Sequence, residues 1–334
     1  MKKIKIAQIG TSHYSHGYDI FNCLKRLPEH FEIVGYALPE NEREKFPHRR
    51  ESLDGYREMT VDEILNDPEI TAVTIETEEI YLTKYATLAA EHKKHIHMEK
   101  PGSPDPEAFE NLINIIKKNG TVFSTGYMYR HNPYIKDLMR RIENGELGEI
   151  ISVEAQMNCY HPEAARRWFK TFDGGMMFFL GCHLVDLILQ IQGAPQEIIP
   201  LSTSTHTDGI DSIDYGMAVF KYKNGVSFAK TSAVEMGGFF RRQLVVTGTK
   251  GTVEVRPLEA YREADYHVTG YREVYKKDWG ADSPREVSEK YDRYDDMMIA
   301  FADMVNGNGK TSFKGYDYEL ELYKTVLKAC GYNI

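Results

Sequence analysis

The sequence predicts an α/β chain of 334 residues. An N-terminal Rossmann-type doubly wound parallel sheet comes first, then an α+β domain with a large, mostly antiparallel, open-faced sheet. Three observations carry this prediction. Through about residue 125, short β-branched apolar runs alternate with helical patterns, the order that makes a parallel sheet. Beyond it the apolar period drops to two and hairpin signals appear. The first strand ends on Gly10, where a tight turn into a helix is required.

In the first half, Ile4, Ile6 and Ile9 make a buried-type strand, and Ile20, Phe21 and Leu24 mark the following helix. Strand, turn and helix in that order place helix amides against a phosphate. Of the three glycines in the G-x-G-x-x-G fingerprint only Gly10 is kept, with Ser12 and Ser15 at the later places. Phe31–Ala37 is the second strand. Leu38 stands where a carboxylate ordinarily takes the adenosine ribose, and the trio His48, Arg49 and Arg50 suits either a 2′-phosphate or a solvated loop. Ile70–Ile75 is the third strand and empties into Glu76, Thr77, Glu78 and Glu79. Leu82, Tyr85, Ala86 and Ala89 give a helix, and His95–Met98 the next strand. That strand delivers Glu99 and Lys100 and stops at Pro101, so a carboxylate and an amine stand at the strand end, where ligands bind in open α/β sheets. Phe109, Leu112, Ile113 and Ile116 lie on one helical face, Asn119-Gly120 ends that helix, and a strand to Gly126 closes the domain.

In the second half, Tyr134–Ile142 is predicted helical. Ile151–Met157, Tyr215–Lys221, Val226–Lys230 and Gln243–Thr247 alternate as half-buried strands, with Asn224-Gly225 and Lys250-Gly251 as hairpin turns. A helix from His183 buries Leu184, Leu187, Ile188 and Ile191. A sheet with helices on one face leaves the other to be covered by a copy, with Phe220, Val226 and Phe228 as contributors. The expected division is 1–125, dinucleotide-binding, and 126–334, substrate-binding and oligomerisation.

Composition narrows the function. Formal net charge is −9, which disfavours nucleic acid or an anionic membrane as partner. No apolar run approaches the roughly 18–20 residues that cross a bilayer. Cys23, Cys159, Cys182 and Cys330 form no Cys-x-x-Cys pair, so reduced thiols in the cytoplasm are expected. His13, His16, His95 and His97 lack clustered Cys or acidic co-ligands, and no metal is expected.

In order and spacing, Ile9-Gly10, Glu99-Lys100-Pro101, Tyr127–Arg130 with Asn132-Pro133, Gly145-Glu-Leu-Gly148, Gly174-Gly175, Gly181-Cys-His183-Leu-Val-Asp186, Gly248-Thr-Lys-Gly251 and the helix over Tyr318–Cys330 resemble the Gfo/Idh/MocA family of NAD(P)-dependent oxidoreductases. The resemblance covers essentially the whole chain. It implies NAD or NADP as cofactor, a sugar or cyclitol as substrate, and a homodimer or homotetramer built through the C-terminal sheet. By position it implies a cofactor site at Gly10, Thr11, Ser12, His13, Tyr14, Leu38, Thr77, Glu99 and Lys100, with a cis peptide before Pro101. It also implies Lys100 and His183 as catalytic groups, and Tyr129 and Arg130 beside them in the substrate pocket. For His183 the alternative is a packed or capping histidine; for Arg130 it is an ion pair to a nearby carboxylate. The chain departs from the family pattern at Leu38, Ser12, Ser15, Glu76, Glu78 and Phe179, the last where an Asp commonly stands four residues before the His. Those departures keep two other functions open: a degenerate sugar- or nucleotide-binding sensor or partner subunit, and an enzyme holding NAD tightly for transient oxidation before elimination or hydrolysis.

Overall fold

The computed structural model describes residues 2–261, 266–307 and 309–334. The chain forms two compact units: Met1–Tyr127 with Tyr294–Tyr323, and Met128–Arg293 with Lys324–Ile334. Two contiguous stretches divided near residue 125 were expected. The chain returns to the first unit because its late helices carry apolar faces that the parallel sheet buries.

In the first unit, β1 (Ile4–Ile9), α1 (Gly17–Arg26), β2 (Phe31–Ala37), α2 (Glu42–Lys45), α3 (Val61–Asn66), β3 (Ala72–Ile75), α4 (Glu79–Glu91), β4 (His95–Met98), α5 (Pro106–Asn119) and β5 (Phe123–Thr125) follow in order. The sheet is parallel throughout, in the order β2-β1-β3-β4-β5. Beyond β2 an isolated parallel bridge joins Tyr36 to Glu58. The order reverses at β1, so the crevice at the carboxyl ends of β1 and β3 is the switch point at which this class of sheet binds ligands. Local chemistry sets the helices. Thr60 and Glu63 form a capping box on α3. The Asp105 carboxylate accepts from the Ala108 amide at the start of α5, Pro106 occupies its first turn, and Gly120 ends it in the left-handed region at φ 66°. Tyr323 stacks on Phe109 at 3.9 Å, Phe301 packs on His97, and Arg26 pairs with Asp295 at 2.7 Å. Fully burying a ring such as Phe109 is worth about 1.5–3 kcal/mol, which is why these late residues belong to this unit.

In the second unit, α6 (Pro133–Glu143) leads to β6 (Ile150–Asn158), α7 (Glu163–Trp168), a π-helical turn at Met177–Gly181 and α8 (Cys182–Gln192). Then come β7 (Glu197–Pro200), β8 (Tyr215–Tyr222), β9 (Gly225–Ser232), β10 (Gln243–Gly248), β11 (Thr252–Val255), the short pair β12 (Ala260–Tyr261) and β13 (His267–Val268), β14 (Gly270–Val274) and β15 (Glu286–Val287). The remaining helices are α9 (Asp295–Val305) and α10 (Tyr316–Ala329). The large sheet runs β15-β14-β11-β10-β6-β9-β8-β7, antiparallel except for β6 with β9. Ala155, Ala218, Phe220, Ala229 and Val246 are fully buried on one face. Across the other, Ile199, Val219 and Phe228 stand in one register row, Ile199 exposed and the other two half-buried. Phe220, expected on the open face, is therefore a core residue, one place out of phase with Val219. No helix among the described residues is long and apolar enough to cross a membrane.

Candidate functional site

In the first unit the expected residues gather at the carboxyl ends of β1, β3 and β4. Gly10 adopts φ +90°, and a Cβ there would come within 2.6 Å of the Thr77 amide nitrogen, so glycine is obligatory. Ser12 and Ser15 are stitched to the end of β3: the Ser12 amide donates to the Glu76 carbonyl at 2.9 Å, and the Ser15 hydroxyl donates to the same oxygen at 2.9 Å. The close helix-to-strand approach usually made by the last fingerprint glycine falls to Gly17, where a Cβ would lie 2.9 Å from Glu76 Cβ. The reading by fixed spacing passed over Gly17 because it stands two positions late.

The expected cofactor residues divide by what they touch. Thr11, Ser12 and Thr77 are buried in the turn, whereas the His13 ring meets His48 at 2.9 Å and stacks edge-on against Tyr14. Arg49 donates to the Ser15 carbonyl at 2.9 Å, so part of the basic trio clasps the turn. Leu38 packs against the Phe21, Tyr36 and Leu53 cluster and offers no polar atom to a ribose.

Glu99 and Lys100 are each 1% exposed, and the peptide from Lys100 to Pro101 is cis. Glu99 Oε2 accepts from the His16 amide at 3.1 Å and lies 2.6 Å from His16 Nδ1, while Glu99 Oε1 accepts from the Lys100 amide at 2.8 Å. The Lys100 ammonium stands 3.8 Å from Glu99 Oε1. Burial alone would raise the Glu99 pKa, but His16 and Lys100 outweigh it and hold the carboxylate far below its usual range. Two neighbours go the other way. Burial and the Glu99 charge push Glu76 well above the ordinary value, against the pull of Arg49 and Lys100. Burial lifts Glu79 to about 8, opposed by Lys100. A carboxyl whose pKa is raised carries less charge toward a pyrophosphate, which lowers the cost that an acid at this strand end would otherwise impose.

A dinucleotide fits what is present. The Gly10 cradle admits no side chain, and both Thr11 Oγ1 and Glu42 Oε1 are buried without a hydrogen-bond partner beside it.

The second unit holds the other expected residues. His183, in the first turn of α8, is 1% exposed and meets the Tyr129 ring edge-on at 5.1 Å and 89°. Arg130 makes a bidentate ion pair with Asp186, Nε to Oδ2 at 3.0 Å and Nη2 to Oδ1 at 2.9 Å. Asp186 lies one helical turn past His183, so this pair fixes the Met128–His131 turn against α8 and sets the Tyr129 ring on His183. The Tyr129 hydroxyl donates to Glu259 Oε1, which also accepts from Arg242 and Arg293. Burial would raise the Glu259 pKa, but Arg293 and Arg242 hold it at about 2; burial and Glu259 lift Tyr129 to about 12. Sequence reasoning missed this group, since nothing local marks Glu259, Arg242 or Arg293. Phe179 is packed among His161, Trp168 and Phe169, so the place of the missing acid is filled by an aromatic cluster. Among the described residues no group of three or more His, Cys, Asp or Glu is arranged to hold a metal ion.

Comparison with known proteins bears on both units. Residues 4–127 match the oxidoreductase family, NAD-binding Rossmann fold, and residues 135–254 match the GFO/IDH/MocA C-terminal domain. The chain belongs to the Gfo/Idh/MocA oxidoreductase family, and its first unit is that family's NAD(P)-binding domain. It is 29% identical over 163 residues to the uncharacterized oxidoreductase YhhX of Escherichia coli, covering 49% of this chain and 45% of that protein. It is 25% identical over 241 residues to scyllo-inositol 2-dehydrogenase (NADP(+)) IolW of Bacillus subtilis, covering 71% of this chain and 64% of that protein. The match thus spans less than two thirds of either relative's length. Among solved structures, a 3-ketoreductase from Actinomadura kijaniata in complex with NADP and TDP-benzene has the same fold, with a TM-score of 0.78 over 98% of this chain and 97% of that one, at 16% identity.

Proposed function

We propose that this protein is an NAD(P)-dependent dehydrogenase or reductase acting on a hydroxyl or ketone of a sugar or cyclitol. The observation that carries this reading is Lys100, a cation 1% exposed at the carboxyl end of β4 beside an ionised Glu99. An ammonium kept there, where ligands bind, is a functional arrangement more than a packing one. The inositol dehydrogenase activity in the name of one relative and the ketoreductase among the structural neighbours support the substrate class.

When bound, the nicotinamide supplies the hydride acceptor or donor. The chain's own groups do the rest. Lys100 binds the reacting oxygen and stabilises negative charge on it. His183 accepts the hydroxyl proton in oxidation and returns it in reduction. Tyr129 holds its ring against the His183 imidazole. Arg130, its guanidinium engaged by Asp186, is a positioning residue for Tyr129 and His183. The scattered cysteines, with no Cys-x-x-Cys pair, support a reducing compartment, the cytoplasm. A panel of inositols, aldoses and nucleotide sugars, offered with NAD⁺ and NADP⁺ and followed by nicotinamide absorbance, tests the reading; turnover of at least one member is expected. The binding-subunit alternative draws on Phe179, Leu38, Ser12 and Ser15, and nucleotide binding with no member of the panel converted would favour it.

The open sheet face supports a homo-oligomer. Ile199, Val219 and Phe228 form an apolar row there, and Val226 is 53% exposed. Light scattering at micromolar concentration should give a dimer or tetramer, and Val226→Lys should shift it toward monomer. A wild-type protein that scatters as a monomer would end this part of the proposal.

A further inference from the structure

In this class of fold the adenosine ribose is ordinarily read by a carboxylate at the carboxyl end of the second strand. Leu38 holds that place and packs into an apolar cluster. A carboxylate arrives nevertheless, from four residues further along. Asn41, in the left-handed region at φ 60°, turns the chain so that Glu42, the first residue of α2, reaches back to the turn after β1. Glu42 Oε2 accepts from the Thr11 amide at 2.6 Å. The preceding amide, that of Gly10, donates to the Ala37 carbonyl at the end of β2, at 2.8 Å. Glu42 is therefore tied to the junction of the first turn and the second strand. Its side chain is fully buried, and Oε1 has no hydrogen-bond partner. A buried acceptor left in that condition is costly until a donor reaches it. Thr11 Oγ1 is buried and unpartnered on the residue that Glu42 already holds.

We propose that Glu42 binds the adenosine ribose hydroxyls through Oε1 and thereby selects NAD over NADP, an inference that rests on the dinucleotide-binding reading of this unit. A ribose 2′-hydroxyl supplies the donor that Oε1 lacks. A 2′-phosphate supplies none and sets two or so negative charges against an acid. Of the nearby groups, Lys84 and the Tyr85 hydroxyl are held by Glu40 at 2.6 and 2.7 Å and Lys45 by Glu78 at 3.0 Å, while Arg49 donates to the Ser15 carbonyl through Nη2 and, like Arg50, keeps a buried Nε without a partner. Burial raises the Glu42 pKa to about 8 against the Thr11 amide, and further donors would favour the carboxylate.

Calorimetric titration of the wild-type protein, Glu42→Gln and Glu42→Ala with NAD⁺ and NADP⁺ tests this. The wild type should bind NAD⁺ at least about 10-fold more tightly than NADP⁺. Glu42→Ala should weaken NAD⁺ binding about 10–100-fold, the range for hydrogen bonds to a charged group, and change NADP⁺ binding by less than about 3-fold. Glu42→Gln keeps the volume and an acceptor for the Thr11 amide, and should fall between; if the alanine variant melts early by circular dichroism, this variant carries the comparison. Wild-type preference for NADP⁺, or equal weakening of both nucleotides, would overturn the proposal and leave Glu42 as a clasp on the turn. Binding of neither nucleotide by wild type would instead fell the dinucleotide reading, and this inference with it.

Discussion

Lys100→Met is expected to lower turnover of any responsive sugar or cyclitol by about 10³-fold or more. Methionine keeps most of the buried stem and removes only the charge that would meet the reacting oxygen. Lys100 is the residue for which that charge matters most, because its ammonium is 1% exposed and 3.8 Å from the Glu99 carboxylate. A cation kept dry beside a fixed anion is already organised and spends nothing on reorientation when charge develops on the substrate. Glu99 in the variant still accepts from His16 and from the residue-100 amide, so the strand end should stay in place. Nucleotide affinity within about 3-fold of wild type would confirm that. His183→Asn is expected to cost about 10²–10⁴-fold, the range for a general base. A wild-type rate from Lys100→Met would remove Lys100 from the reaction. The same result from His183→Asn would reduce that histidine to packing against Tyr129.

How much of this was legible in the sequence follows from the range of the interactions concerned. Period-two and period-3.6 patterns are local, so the parallel sheet, the strands β6, β8, β9 and β10 of the second sheet and the helices α1, α4, α5, α6 and α8 could be read, whereas α2, α7, α9 and the strands β7, β11, β14 and β15 were missed. Gly10 and the Glu99-Lys100-Pro101 turn are local as well. Gly17 was hidden by a fixed-spacing template, although the close approach to Glu76 that demands a glycine is plain once β3 lies beside β1. The Glu42 to Thr11 contact spans 31 positions, and the Tyr129 to Glu259 contact spans 130. Contacts of that kind depend on a left-handed Asn41 or on strand order, and no periodicity announces them. Face assignment failed at Phe220 for a related reason: a strand's phase is set by its partners' register, and one residue of phase moves a side chain from solvent to core. For the acids after β3 a sequence shows charge without showing burial. Burial raises the Glu76 pKa well above its ordinary value and lifts that of Glu79 to about 8.

Glu79→Gln should stabilise the protein, and increasingly so as pH rises. Glu79 opens α4 fully buried, with neither carboxyl oxygen hydrogen-bonded to a partner side chain or backbone group. Burial raises its pKa from 4.5 to about 8, against the pull of Lys100. Above about pH 4.5 the unfolded chain releases this proton while the folded chain keeps it, so the unfolded state binds fewer protons and folding stability falls with rising pH. The loss begins near the unfolded value and levels off only once the folded group also ionises, near pH 8. Between about pH 5.5 and pH 8 the penalty grows by on the order of 3 kcal/mol. Glutamine matches the shape of the neutral acid and does not titrate, so it escapes that penalty. Glu42 and Glu76 titrate in the same direction in both proteins, and their contribution cancels in the difference. Urea unfolding of wild type and variant, followed by far-ultraviolet circular dichroism at the two pH values, gives that difference directly. It should favour the variant and widen toward pH 8. A difference independent of pH would mean that Glu79 is ionised in the folded protein, with the Lys100 ammonium compensating its burial.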